Sequence, residues 1–198
     1  MKLSLYSLLY TTQKTLQRLL YLCSKQYRIE VEAFFEAISA YNYAVVKLDT
    51  PNKHRMFPLN YKIGTDIDVI VLEEDLQKIK EVIITLNQNK KLSKVVIEEE
   101  GSFKVRYQFY KFLNLQFDVT SSSTSQLYND CLKHATLYKG IKVPQLKHEL
   151  VVRASEFEAK PKKKHHLEFI KTHLNNIDVN VLKTYKIKPE TIKMITEI

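Results

Sequence analysis

The sequence predicts an α+β fold in which a small β-sheet is flanked by helices and followed by a helical C-terminal half. The main observation is the stretch 62–72, where β-branched and aliphatic residues surround two aspartates and helix formers follow directly, as in a strand that feeds a helix. Three further strand-like stretches lie between 94 and 120. From 123 onward, apolar residues recur at helical spacing.

The chain has 198 residues, three glycines and five prolines, which suits one compact unit without a flexible linker. We divide it into N-terminal helices that pack on the core (1–42), a sheet that carries the aspartates (43–120) and a helical region (121–198). The net charge of +9 favours an anionic partner such as a nucleotide, sugar phosphate, nucleic acid or membrane surface. A generally lysine-rich proteome would give the same charge, and both explanations stay open.

The sequence also favours a cytoplasmic location. Cys23 and Cys131 lack motif spacing, which suits a reducing compartment better than a disulfide framework. The apolar run 1–10 is short and no cleavage site follows it. No segment reaches the roughly 20 apolar residues that span a bilayer, so we expect no membrane span.

Two helices are predicted first, over about 5–24 and 29–41. An amphipathic helix on a membrane surface is the functional alternative for the first. A strand follows at 43–49 and includes Lys47. The turn 50–62 holds the cations Lys53, His54 and Arg55, which would neutralise an anion bound beside the aspartates or else form a solvated loop.

After the aspartate strand, acidic residues 73–75 suit the N-terminus of a helix that runs to about 87. Strands are predicted over 94–99, 103–110 and 113–120. A capping box at 123–126 is expected to start a helix that runs to about 135. A tight turn at 137–144 then leads into a helix over 145–158. Two short helices are predicted after 178. Pro189 begins the last of them.

Three aspartates are the candidate metal ligands. Asp66 and Asp68 share one face of their strand, because side chains alternate along a strand, and they lie about 7 Å apart or closer. Like charges this close need a cation or a proton between them. Oxygen ligands favour Mg²⁺ or Mn²⁺. Asp118 lies on the polar face of the strand 113–120 and offers a third carboxylate. The histidines have no zinc-ligand spacing.

Over about 43–120 this arrangement resembles the nucleotidyltransferase superfamily with the polymerase-β-type fold, whose signature is an Asp-hydrophobic-Asp pair and a third Asp on an adjacent strand. The resemblance implies a small mixed β-sheet of that type, with Asp66, Asp68 and Asp118 as catalytic ligands of Mg²⁺ or Mn²⁺. The family's Gly-Ser turn about ten residues before the first Asp is missing; 48–55 is Leu-Asp-Thr-Pro-Asn-Lys-His-Arg. The chain therefore resembles minimal bacterial nucleotidyltransferase-like proteins with a degenerate turn.

Cationic and polar residues near the aspartates are the candidates for binding a nucleoside triphosphate such as ATP. Lysines and histidines at 160–166 stand at the start of a predicted helix, where the positive end of the helix dipole disfavours cations. This conflict suggests that an anion binds there, and a solvated basic patch is the alternative. The candidates are Lys47, Arg55, Thr65, Arg106, Lys163, Lys164 and His166.

The expected function is Mg²⁺-dependent transfer of a nucleoside monophosphate from a nucleoside triphosphate to an acceptor hydroxyl or phosphate. The resemblance suggests a sugar phosphate or another small molecule as acceptor. One alternative is an inactive relative that acts as a scaffold. Another is a basic nucleic-acid-binding protein that uses Lys104, Arg106, Tyr110 and the stretch 160–164.

Overall fold

The structure is a computed structural model that describes residues 11, 12, 15, 16, 19, 24–48, 66–109 and 113–197. Five strands of this part form one mixed sheet. They are β1 (Tyr43–Val46), β2 (Asp66–Val71), β3 (Ser93–Glu99), β4 (Ser102–Phe109) and β5 (Leu113–Ser121). The predicted helix over 5–24 and the turn 50–62 lie wholly or largely outside the described residues.

The strand order is β1-β2-β5-β4-β3. β2 and β5 run parallel, and the other neighbours run antiparallel. Because parallel strands need a crossover connection, the chain between β2 and β5 folds as a helix and the hairpin of β3 and β4. This pairing sets Asp68 directly opposite Asp118.

Helices cover both faces of the sheet. Those that precede β5 are α1 (Val31–Ala37) and α2 (Leu76–Leu86). Those that follow it are α3 (Gln126–Lys133), α4 (Leu146–Ala159), α5 (Lys164–His173), α6 (Asn180–Thr184) and α7 (Pro189–Thr196). Pro189 occupies the first turn of α7, where its missing N–H costs no helical hydrogen bond.

The two faces of β2 enter different cores. Ile67, Val69 and Val71 pack with α1 and α2, where Phe34 meets Phe117 edge to face at 4.8 Å between ring centroids. Ile70 packs on the opposite face with the helices of the C-terminal half. The predicted α+β class with a mixed sheet and helical C-terminal region is therefore confirmed.

Two local predictions need correction. The tight turn predicted at 137–144 is present at Lys139 and Gly140, with φ of +50° and +78°, but it joins two short strands that were not predicted, β6 (Thr136–Tyr138) and β7 (Ile141–Val143). The capping box is absent. Ser123 lies in a 3-10 turn, its N–H donates to the Ser121 hydroxyl, and α3 begins only at Gln126.

The first strand ends at Val46 rather than near 49, because Lys47 has a left-handed φ of +59°. None of the helices in the described ranges has the length and apolar character that crossing a bilayer requires.

Candidate active site

Three carboxylates meet at the centre of the sheet. Asp66 and Asp68 project from one face of β2, while Ile67 and Val69 between and beside them enter the core on the other face. β5 pairs in parallel register and brings Asp118 opposite Asp68. One oxygen from each carboxylate lies within 4.8 Å of the others. We call this group the carboxylate triad.

The triad has the donor set of a hard divalent cation. All of its ligand atoms are carboxylate oxygens, which suit Mg²⁺ or Mn²⁺ rather than zinc. Within the ranges that the structure describes, no other cluster of three or more acidic, histidine or cysteine side chains is close enough to hold a metal ion.

Lysines neutralise two members of the triad. Lys47 Nζ lies 2.7 Å from Asp68 Oδ1, and Lys104 Nζ lies 3.5 Å from Asp118 Oδ1. Asp118 also accepts a hydrogen bond of 3.3 Å from the Gln116 amide, whose carbonyl oxygen accepts one of 2.9 Å from Arg106 Nε. Polar side chains of β4 and β5 therefore hold the Asp118 carboxylate in position by hydrogen bonds and an ion pair.

The pKa of the Asp68 carboxyl is raised by its surroundings. Burial raises its pKa, the charges of Asp66 and Asp118 raise it further, and Lys47 lowers it in part. Burial alone would lower the pKa of Lys47, but the carboxylates of Asp68, Glu156 and Asp66 together outweigh burial and raise it. The site thus concentrates negative charge that a cation can compensate.

A glutamate of α4 holds the backbone of Lys47 in place. The Lys47 backbone N–H donates to both carboxylate oxygens of Glu149, at 2.9 and 3.2 Å. Glu149 in turn forms an ion pair of 2.7 Å with Arg153, whose side chain is 1% exposed. The guanidinium of Arg153 stacks 4.2 Å from the Phe169 ring centroid and lies 3.3 Å from His166 Nδ1.

Glu156 is a site residue that the sequence analysis missed. One of its oxygens lies 3.5 Å from Lys47 Nζ and the other lies 3.3 Å from Lys163 Nζ. Burial raises the pKa of Glu156, and the charges of Lys47, Lys163 and Lys160 outweigh that effect and lower it. The available signal was the helical spacing of Glu149, Arg153 and Glu156, which stand four and three positions apart in α4 and so lie near one another along the helix.

These side chains line a cleft of about 210 Å³ between the sheet, α3, α4 and the segment that precedes α5. Its charged lining consists of the triad, Glu99, Glu156, Lys47, Lys104, Lys160 and Lys163. Tyr128, Ser102 and Thr120 add hydroxyl groups. Carboxylates for a metal therefore face ammonium groups that can bind phosphate oxygens.

The other predicted site residues fall in different places. Arg106 donates to Gln116 on the same face of the sheet as Asp118 and does not line the cleft. Lys164 is exposed outside the cleft lining, and His166 is buried against Arg153. Arg55 and Thr65 lie outside the described residues. Of the seven phosphate-binding candidates, Lys47 and Lys163 line the cleft.

The structure thus contains the predicted arrangement of an Asp-x-Asp pair on one strand and a third aspartate on the adjacent strand of a mixed sheet. No protein-family model matches the sequence, and no curated protein matches it.

The chain is similar in structure to two proteins of Helicobacter pylori. JHP933 aligns with a TM-score of 0.48 and 11% identity over 92% of this chain and 88% of its own. The second, which has been proposed to be a nucleotidyltransferase, aligns with a TM-score of 0.49 and 12% identity over 92% of this chain and 80% of its own.

Proposed function

We propose that this protein is a metal-dependent nucleotidyltransferase that moves a nucleoside monophosphate from a nucleoside triphosphate to a hydroxyl or phosphate of a small-molecule acceptor, such as a sugar phosphate. The observation that carries the proposal is the carboxylate triad, with its oxygens within 4.8 Å of one another, in a cleft lined by four lysines.

The triad is suited to Mg²⁺ or Mn²⁺. Asp66, Asp68 and Asp118 would hold the cation through oxygen atoms, and the repulsion among their charges favours its binding. When bound, the cation supplies positive charge that stabilises the oxygens of the reacting phosphate.

The lysines of the cleft would hold the triphosphate. Lys160 and Lys163 approach from the segment between α4 and α5, opposite the sheet that carries the triad. Their ammonium groups would bind the β- and γ-phosphates and stabilise the pyrophosphate that leaves when the bond from the α-phosphorus to its bridging oxygen breaks. Asp118 would accept the proton of the acceptor hydroxyl as that oxygen bonds to the α-phosphorus.

A second candidate function is that of a catalytically inactive scaffold. Its support is that Lys47 and Lys104 already neutralise two of the three aspartates. A triad compensated in this way would fold normally without binding a metal or a nucleotide. The nucleic-acid alternative has less support, because Lys104 pairs with Asp118, Arg106 bonds to Gln116, and Tyr110 lies outside the described residues.

The thermal midpoint of the purified protein with ATP, GTP, CTP or UTP, each with and without Mg²⁺, tests the transferase proposal. A ligand at about a hundred times its Kd adds roughly 2.7 kcal/mol of stability, which corresponds to a shift of roughly 5–10 °C for a chain of this length. We expect at least one nucleotide to produce such a shift only with Mg²⁺, and Asp66→Asn/Asp68→Asn to abolish it.

The matched control is Glu32→Gln/Glu36→Gln, which removes two exposed carboxylates from α1 on the opposite face of the sheet. This variant should keep the full shift. A shift that survives in Asp66→Asn/Asp68→Asn would place the nucleotide elsewhere, and the absence of any shift would favour the scaffold. Where a shift appears, pyrophosphate release in the presence of candidate sugar phosphates then tests the transfer itself.

A further inference from the structure

Lys47 lies between two carboxylates that belong to different elements. Its Nζ is 2.7 Å from Asp68 on β2 and 3.5 Å from Glu156 on α4. The three side chains are 17%, 16% and 26% exposed, so this group is largely screened from water. The ammonium group therefore makes a close ion pair with Asp68 and a longer one with Glu156.

The contact with Asp68 conflicts with a metal at the triad. A divalent cation on either oxygen of Asp68 would lie a few ångströms from the ammonium of Lys47, and two cations that close in a partly buried site repel strongly. We therefore expect Lys47 to leave Asp68 when the cation binds there.

Glu156 offers Lys47 a second carboxylate. One oxygen of Glu156 pairs with Lys163, and the other faces Lys47. The backbone of Lys47 is held by Glu149 at a left-handed φ of +59°, so the exchange needs only side-chain rotation. A lysine that moves to Glu156 stays paired, which avoids the cost of a buried charge without a partner.

We propose that Lys47 is a displaceable counter-ion of Asp68 and that Glu156 is the positioning residue that receives it when a divalent cation binds the triad. We call this movement of Lys47 from Asp68 to Glu156 the relay. This inference rests on the proposed function, because it assumes that the triad binds the cation. It assigns Glu156 an effect on metal affinity that acts through Lys47 and requires no contact with the metal.

The test is a double-mutant cycle on the binding of Mn²⁺ alone, measured from the electron paramagnetic resonance signal of free Mn²⁺ without nucleotide. Lys47→Met removes the competing cation and should tighten binding about tenfold or more. Glu156→Gln should weaken binding about tenfold in the wild-type background, because Lys47 then stays on Asp68. In the Lys47→Met background the same change should have little effect.

Glu99→Gln is the matched control, because Glu99 also lines the cleft and the change removes the same charge. Its effect on Mn²⁺ affinity should be equal in both backgrounds. An equal effect of Glu156→Gln in both backgrounds would show simple charge attraction and overturn the relay while leaving the metal site intact. Unchanged Mn²⁺ affinity in Lys47→Met would also overturn it.

Metal binding by Lys47→Met alone, with none by the wild type, would overturn displacement and support the scaffold. No binding by any variant would reject both the relay and the transferase proposal. Side-chain ¹⁵N signals of lysine in the unmodified protein provide a measurement that needs no substitution at the site. The Lys47 signal should shift on addition of Mg²⁺, and an unchanged Lys47 signal at saturating Mg²⁺ contradicts the relay.

Discussion

The backbone N–H of Lys47 donates to both carboxylate oxygens of Glu149, 102 positions later in the sequence. This contact joins the end of β1 to α4 at the residue where the chain takes a left-handed φ. The same carboxylate is the counter-ion of Arg153, which is almost completely buried. One acid therefore fixes the backbone beneath the triad and compensates a charge in the core.

Glu149→Ala should destabilise the protein by about 3–5 kcal/mol, because it leaves the buried charge of Arg153 without its carboxylate partner. Urea unfolding at pH 7 measures the loss. Lys147→Ala removes an exposed side chain from the same helix and should change stability by less than about 0.5 kcal/mol. A loss below about 1 kcal/mol for Glu149→Ala would contradict the assigned role of this ion pair.

Acid should destabilise the protein through His166. Burial lowers the pKa of this imidazole from 6.5 to about 4, and the nearby His165 and Arg153 act in the same direction. The unfolded chain binds the proton near pH 6.5 and the folded chain only near 4, so stability falls as the pH falls through this window. The loss reaches about 3 kcal/mol below pH 4.

Urea unfolding at several pH values between 7 and 4 checks the prediction for His166. His166→Gln keeps an acceptor for Arg153 and should reduce the loss over this window, while His148, whose pKa burial also lowers, should still contribute part of it. His165→Gln, which changes an adjacent exposed histidine, should largely retain it. Equal pH dependence in the wild type and His166→Gln would show that another group causes the acid effect.

Phe34→Ala should lower the stability of the protein without changing the affinity of the candidate site for Mn²⁺. Phe34 is fully buried on the face of the sheet opposite the triad and packs against Phe117. Its truncation should cost about 3–5 kcal/mol by removing apolar contacts and leaving a cavity. Mn²⁺ affinity at a temperature where the variant is folded should match that of the wild type, and a tenfold weaker affinity would show that α1 influences the metal site.

The sequence alone predicted the features that depend on local periodicity. Alternation along 66–71 placed Asp66 and Asp68 on one face and Ile67, Val69 and Val71 on the other, because successive side chains of a strand point in opposite directions. The strand predicted over 103–110 is likewise confirmed as β4, and its alternate apolar residues Phe103, Val105 and Tyr107 are buried. Helical spacing located the helices after β5 to within a few residues.

Only the tertiary structure decided which distant side chains meet. The parallel register that sets Asp68 opposite Asp118 joins residues 50 positions apart, and the ion pairs of Lys47 with Asp68 and Glu156 join three separate elements. Packing also placed Lys163 in the cleft and buried His166, although both belong to one basic stretch. Periodicity fixes the face of a side chain within its own element, whereas strand pairing and helix packing determine what that face meets.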